Sequence, residues 1–200
     1  MTRLGEHGPD VSRVGSGCMG MSGMYGPAER KESIATVHAA LDAGINLLDT
    51  GDFYGMGHNE TLVGEALSTR SRDEAVISVK FGAQRGPDGG WLGYDARPAA
   101  VKTALAYSSS AYGSTTSTST AGPPGPQGPE LSRGLISGQW SPIVPLIGAR
   151  TRERLTEARG ALDLNLSDED IDKIEQAMPA EAALGDRYPA AQMGQFDSER

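Results

Sequence analysis

Residues 46–60 read Asn46-Leu-Leu-Asp49-Thr-Gly-Asp-Phe-Tyr54-Gly-Met-Gly-His-Asn59-Glu60, and this stretch decides the fold. Asn46 to Leu48 predict a short buried strand. Asp49 and Tyr54 follow at its C-terminal end in a loop punctuated by glycine. Asn59 is placed to cap a helix running through Leu62, Val63 and Leu67. The order strand, polar loop, helix puts an acid and a phenol where α/β proteins hold their chemistry, beyond the C-terminal ends of parallel strands.

Ala75 to Val79 form another apolar run, closed by Lys80. Between the two strands, the helix after Asn59 supplies a crossover. Upstream, Ile34, Val37, Ala40 and Leu41 recur at helical spacing from near Arg30, and Gly44 ends that helix. Val11 to Val14 predict the first strand. It leads into Gly15-Ser-Gly17-Cys-Met-Gly20, which fits G-x-G-x-x-G. A dinucleotide fingerprint needs a helix opening directly on those glycines. Met21 to Pro27 continue as loop instead, so a flexible βα loop competes with that reading. Cys18 reads as a small, partly buried residue, since no activating His adjoins it in sequence.

Residues 83–96 predict a long polar loop whose Trp91 and Tyr94 either line a substrate mouth or anchor the loop. Pro98 opens a helix through Val101, Leu105 and Tyr107. At Ser108 the composition changes to Ser, Thr, Gly and Pro, and residues 108–130 read as a linker with no core to bury. Thr151 to Leu162 predict a helix. Ser167 with Asp170 starts a further helix ending near Met178-Pro179, and the polar tail from Glu181 reads as an extension.

The bulk numbers narrow the class. Net charge is −8 without a dense Lys/Arg patch, which argues against generic nucleic-acid binding. With Cys18 the single cysteine, no intrachain disulfide can form, and a reducing compartment fits. No apolar signal core opens the chain and no run is long enough to span a membrane, so the expectation is a cytoplasmic protein without a membrane or nucleic-acid partner. No metal site is read.

The stretch from Asp49 to Tyr54, together with Val76-Ile-Ser-Val-Lys80-Phe-Gly82, closely resembles the signature of the aldo-keto reductases. The resemblance implies a (β/α)8 barrel and NADPH-dependent reduction of a small-molecule carbonyl substrate, an aldehyde or ketone, to an alcohol. Asp49, Tyr54 and Lys80 match three members of the family's catalytic group. Tyr54 would donate the proton, with Lys80 paired to Asp49 and favouring phenolate character. The fourth member, a His, has no match in this chain. The glycine loop would pass under the nicotinamide, giving Gly17, Met19 and Asp49 as cofactor contacts. Leu131, Ser132 and Gly134 resemble the loop facing the pyrophosphate. Gly148, Arg150, Thr151, Arg154 and Glu157 resemble the adenine-phosphate loop and helix, with Ala158 where many members carry Asn. Read without the resemblance, that helix is an ordinary charged amphipathic one.

Two hundred residues fall short of the ~250 of such a barrel. The expected architecture is therefore an incomplete (β/α)8 arc of about four parallel strands: 1–107 as its N-terminal part, 108–130 as a disordered linker, and 131–200 as its C-terminal part. Open edges would favour oligomerisation or a marginal fold. Thr115 to Thr120 can be decoded, one base earlier, as Asp-Tyr-Ile-Asp-Leu-Tyr, the pattern the family carries at its fourth strand. The hypothesis is that a frameshift produced the linker, and codons that cannot be re-read this way would refute it. Alternatives to a working reductase are a non-catalytic nucleotide-binding or interaction fragment, and the non-functional product of a decayed gene.

Overall fold

The computed structural model describes residues 1–4, 7–113, 118–121 and 144–177, the backbone alone at 118–121. A five-stranded parallel sheet carries the molecule. Its strands are β3 (Gly15–Gly17), β4 (Leu47–Gly51), β5 (Val76–Lys80), β8 (Thr118–Ala121) and β9 (Leu146–Gly148), in the order β8-β5-β4-β3-β9. Three sequential strands lie side by side, and the last strand returns to the free side of the first. That first-to-last pairing is how a (β/α)8 barrel closes. Two small antiparallel pairs lie outside the sheet: β1 (Thr2–Arg3) with β2 (Asp10–Val11), and β6 (Ala83–Arg85) with β7 (Trp91–Tyr94).

Helices α1 (Arg30–Asp42), α2 (His58–Leu67), α3 (Pro98–Ala111), α4 (Arg152–Arg159) and α5 (Asp168–Ala177) complete the chain. The Glu29 carboxylate caps α1 by accepting from the Lys31 and Glu32 amides, and Gly44 takes φ +78° just past the helix end, as the sequence predicts. Strand alternation divides each residue set between two faces. Leu48, Ile77 and Val79 pack against Val37, Leu62 and Val63 of α1 and α2. Leu155 of α4 joins Val14, Ala40 and Ala149 in a second cluster. Burying each such leucine contributes about 1.5–3 kcal/mol.

Several expectations shift. The first sheet strand is Gly15–Gly17, not Val11 to Val14, because that segment alone runs beside β4 and β9. The second strand extends to Gly51, so Asp49 lies within it. Residues 83–96 hold a hairpin, with Trp91 and Tyr94 stacked edge to face at 4.8 Å, which fits the anchoring reading. α3 runs past Ser108 to Ala111, and Ser108 and Tyr112 are buried. Within the expected linker, Thr118–Ala121 pairs in parallel with Ile77–Lys80 as a fourth strand. Tertiary pairing there overrides a composition that carries no hydrophobic period. The helix expected over Thr151 to Leu162 breaks after Arg159 into a 3-10 turn, Gly160–Asp163. Ser167 and Asp170 exchange capping bonds of 3.0 and 3.2 Å, as expected. Residues 131–143, the end near Met178-Pro179 and the tail from Glu181 lie outside the described residues.

Candidate active site

On β4, alternation sends Leu48 and Thr50 to the face packed by the helices and Leu47, Asp49 and Gly51 to the opposite face. Register does the rest. Gly17 sits opposite Asp49, and Lys80 opposite Gly51, two residues on. Asp49 and Lys80 are thus diagonal neighbours on one face, within reach of long side chains. The Lys80 ammonium donates to Asp49 Oδ1. Asp49 is buried, and Lys80 is 38% exposed.

Tyr54 enters from the turn after β4, its amide donating to the Gly51 carbonyl at 3.1 Å. A Cβ at Gly51 would stand 3.2 Å from the Tyr54 ring, so glycine there lets the ring lie against the strand end. Tyr54 is 4% exposed, and Lys80 Nζ lies 5.8 Å from its ring centroid. Burial, and then the Asp49 charge, push the Tyr54 phenol above its ordinary value. The Lys80 ammonium is paired with Asp49 beside the ring, and burial of the phenol is the largest influence on its acidity.

The expectation for Asn59 is corrected. Gly57 occupies the cap position of α2, and Asn59 is fully buried two residues on, within the first turn. Its Oδ1 accepts from Thr50 Oγ1 at 2.6 Å, and its Nδ2 donates to the Cys18 carbonyl at 2.8 Å and Ser22 Oγ at 2.7 Å. It ties β4, α2 and the loop after β3 together beneath the site. Cys18 is wholly buried, its thiol pushed up to about 12 mainly by burial, which removes it as a nucleophile.

These elements surround a cavity of ≈ 520 Å³. Of the residues singled out in the sequence, Gly17, Met19, Asp49, Tyr54, Lys80, Gly148, Arg150 and Arg154 line it. Gly20 of the glycine loop, Tyr25 and Leu146 complete the wall, and sequence reasoning missed the last two. Tyr25 and Leu146 carried a signal only as large apolar side chains in loop-like and strand-end positions. Thr151 caps α4, its Oγ1 accepting from the Arg154 amide at 3.3 Å. Glu157 is exposed on α4. Arg154 has no ion pair or side-chain hydrogen bond among the described residues, whereas Arg152 grips Glu32 of α1. The Arg154–Glu157 pairing of an ordinary charged helix is not formed. Arg150 donates from Nη1 to the Tyr25 and Pro27 carbonyls. Leu131, Ser132 and Gly134 lie outside the described residues. None of the cavity residues is a histidine: His38 bonds the Ala66 carbonyl and His58 shares a hydrogen bond with Ser22.

Known proteins give this geometry a context. The model of the aldo/keto reductase family matches residues 13–115, just over half of the chain. "Probable aldo-keto reductase 1" of Glycine max is 44% identical over 89 residues, 43% of this chain and 26% of that protein. The chain thus spans about a quarter of the length of that curated relative. In fold, it is similar to the glycerol dehydrogenase of Gluconobacter oxydans, with TM-score 0.71 and 17% identity, covering 94% of this chain and 98% of that one. An aldo-keto reductase of Klebsiella pneumoniae in complex with NADPH gives TM-score 0.61 and 14% identity, covering 89% and 95% of the two chains. The strand order with first and last paired, the Asp49–Tyr54–Lys80 group at one end of the sheet and the match over residues 13–115 agree, and this chain belongs to the aldo-keto reductase family.

Proposed function

We propose that this chain binds NADPH and reduces aldehydes or ketones to alcohols. The observation that carries the reading is the shared cavity: Asp49, Tyr54 and Lys80 form one part of its wall and Arg154 another. The donor set fits the cofactor. Arg154 offers a guanidinium free of carboxylate partners among the described residues, suited to the 2′-phosphate. A Cβ at Gly148 would meet nothing within 4 Å, which leaves open space over the backbone of β9. Gly17, Met19 and Asp49 would face the nicotinamide end, and Thr151 and Glu157 would support the adenosine end. NADPH, when bound, supplies the hydride.

The chain's own residues handle the proton. Tyr54 is held protonated by burial, so it acts as a hydrogen-bond donor to the carbonyl oxygen. Its phenol remains more acidic than the alcohol being formed, so the proton passes from Tyr54 Oη to the developing alkoxide. Lys80, paired with Asp49, stands near the ring and stabilises the tyrosinate left behind. The low exposure of Asp49 and Tyr54 strengthens these interactions relative to water.

The test is a titration with NADPH, read by cofactor fluorescence and thermal melting, followed by turnover of small aldehydes. Saturable binding with a raised Tm is expected. Arg154→Gln should weaken NADPH binding about ten- to a hundredfold, the range for losing a charged hydrogen-bond donor, while leaving NADH nearly unchanged. Tyr54→Phe should bind NADPH normally and lose turnover by about a hundredfold or more. Undiminished turnover in Tyr54→Phe, or no saturable binding by the parent chain, refutes the reading. A nucleotide-binding fragment without turnover is the second reading, favoured by the lack of a histidine in the cavity wall. Binding without turnover in the parent chain would select it.

A further inference from the structure

The Arg150 side chain runs where two glycines leave room for it. A Cβ at Gly20 would lie 2.9 Å from Arg150 Cγ and 3.2 Å from Cδ, so the stem passes hard against that backbone. At the far end, a Cβ at Gly26 would come within 3.4 Å of Nη1, and Gly26 holds φ +105°. Nη1 donates to the Tyr25 carbonyl at 3.0 Å and the Pro27 carbonyl at 3.1 Å. The bonds join segments 125 and 123 residues apart, the loop after β3 and the loop after β9. The loop has few other ties: the Gly26 amide reaches the Gly23 carbonyl at 3.3 Å, and Met24 bridges Gly26. Tyr25 is 69% exposed yet forms part of the cavity wall, its Cδ2 3.7 Å from the position a Gly20 Cβ would take.

We infer that Arg150 is a positioning residue: it latches the Gly23–Pro27 loop to the end of β9 and so holds Tyr25 as the wall of the cavity against which an apolar or aromatic carbonyl substrate packs. Its Nη1 is engaged by two backbone carbonyls, whereas the Arg154 side chain has no hydrogen-bond or ion-pair partner among the described residues. The substrate part of the inference rests on the function proposed above; the latch itself does not.

Amide hydrogen exchange on the cofactor-free chain tests the latch alone. In Arg150→Met, exchange of the Gly26 amide and its neighbours should quicken about tenfold or more, as loss of bonds from a charged donor implies. Arg150→Lys keeps the charge and one bond, and should fall between the two, which also serves if Arg150→Met does not fold. Kinetics then test the consequence. Arg150→Met and Tyr25→Ala should raise KM for benzaldehyde several-fold, with kcat and NADPH affinity little changed. Unchanged exchange at residues 23–27 in both arginine variants overturns the latch. A loss of NADPH affinity matching that of Arg154→Gln, with KM for benzaldehyde unmoved, overturns the positioning role and makes Arg150 a phosphate ligand. If no variant or parent turns over benzaldehyde, the function proposed above fails while the exchange result still decides the latch.

Discussion

Asn59 shows how much one side chain settles. Its amide satisfies Thr50, Cys18 and Ser22 at once in a site without solvent. Asn59→Ala strands the Thr50 hydroxyl and the Cys18 carbonyl, so it should cost about 2–3 kcal/mol and lower the Tm. Asn59→Asp, which keeps the acceptor and loses the donors, should also destabilise; a Tm unchanged in both would refute the account. Asp52 carries a pH dependence. It lies with Glu60 and Arg85 on a second cavity of ≈ 330 Å³, and burial, then the Glu60 charge, push its carboxyl up to about 6. The folded chain therefore holds a proton that the unfolded chain releases near its ordinary value of 3.8. Stability should fall as pH rises from about 4 to 6, with the penalty fully present above that window. After allowance for partial exposure the effect is on the order of 1 kcal/mol. Asp52→Asn should remove the slope, and melting curves at pH 4.5 and 7.5 would show it.

The helices meet at close range at Gly64. A Cβ there would stand 2.2 Å from the Ala111 carbonyl, so α2 and the C-terminal end of α3 touch backbone to backbone. Gly64→Ala should push α3 outward and destabilise by about 1–3 kcal/mol, despite the better helix propensity of alanine. An increase in Tm would show that α3 does not dock there. The same contact explains why α3 outlasts the change in composition at Ser108. Ser108 and Tyr112 face α2, and the Tyr112 hydroxyl donates to buried Glu60 at 3.2 Å. Serine is a poor advertisement for a core position, and only the neighbouring backbone makes it fit. Asp49, Tyr54, Lys80 and Arg154, which line one cavity, were singled out in the sequence by the family motifs they resemble. Tyr25 and the part played by Arg150 were not, since both depend on a contact between loops far apart in the chain.

Across the whole molecule, the described sheet has β8 and β9 as its outer strands, each paired on one side. Unpaired strand edges are templates for association. We therefore propose that the chain self-associates, and sedimentation should show species heavier than 20.9 kDa as concentration rises. A monomer at every concentration would mean that both edges are covered within one chain. The sequence by itself determined the alternation of strands and helices, the stop at Gly44, the cap at Ser167, and the residue types of the proposed catalytic group. Those are written in local periodicity and in short-range hydrogen bonding. Only the tertiary structure decided that residues 118–121 pair as a strand, that Asn59 is an internal tie and not a cap, and that Arg150 turns to the Tyr25–Pro27 loop. Strand register and loop contacts are set by partners many tens of residues away, and no window of the sequence contains both sides of such a contact.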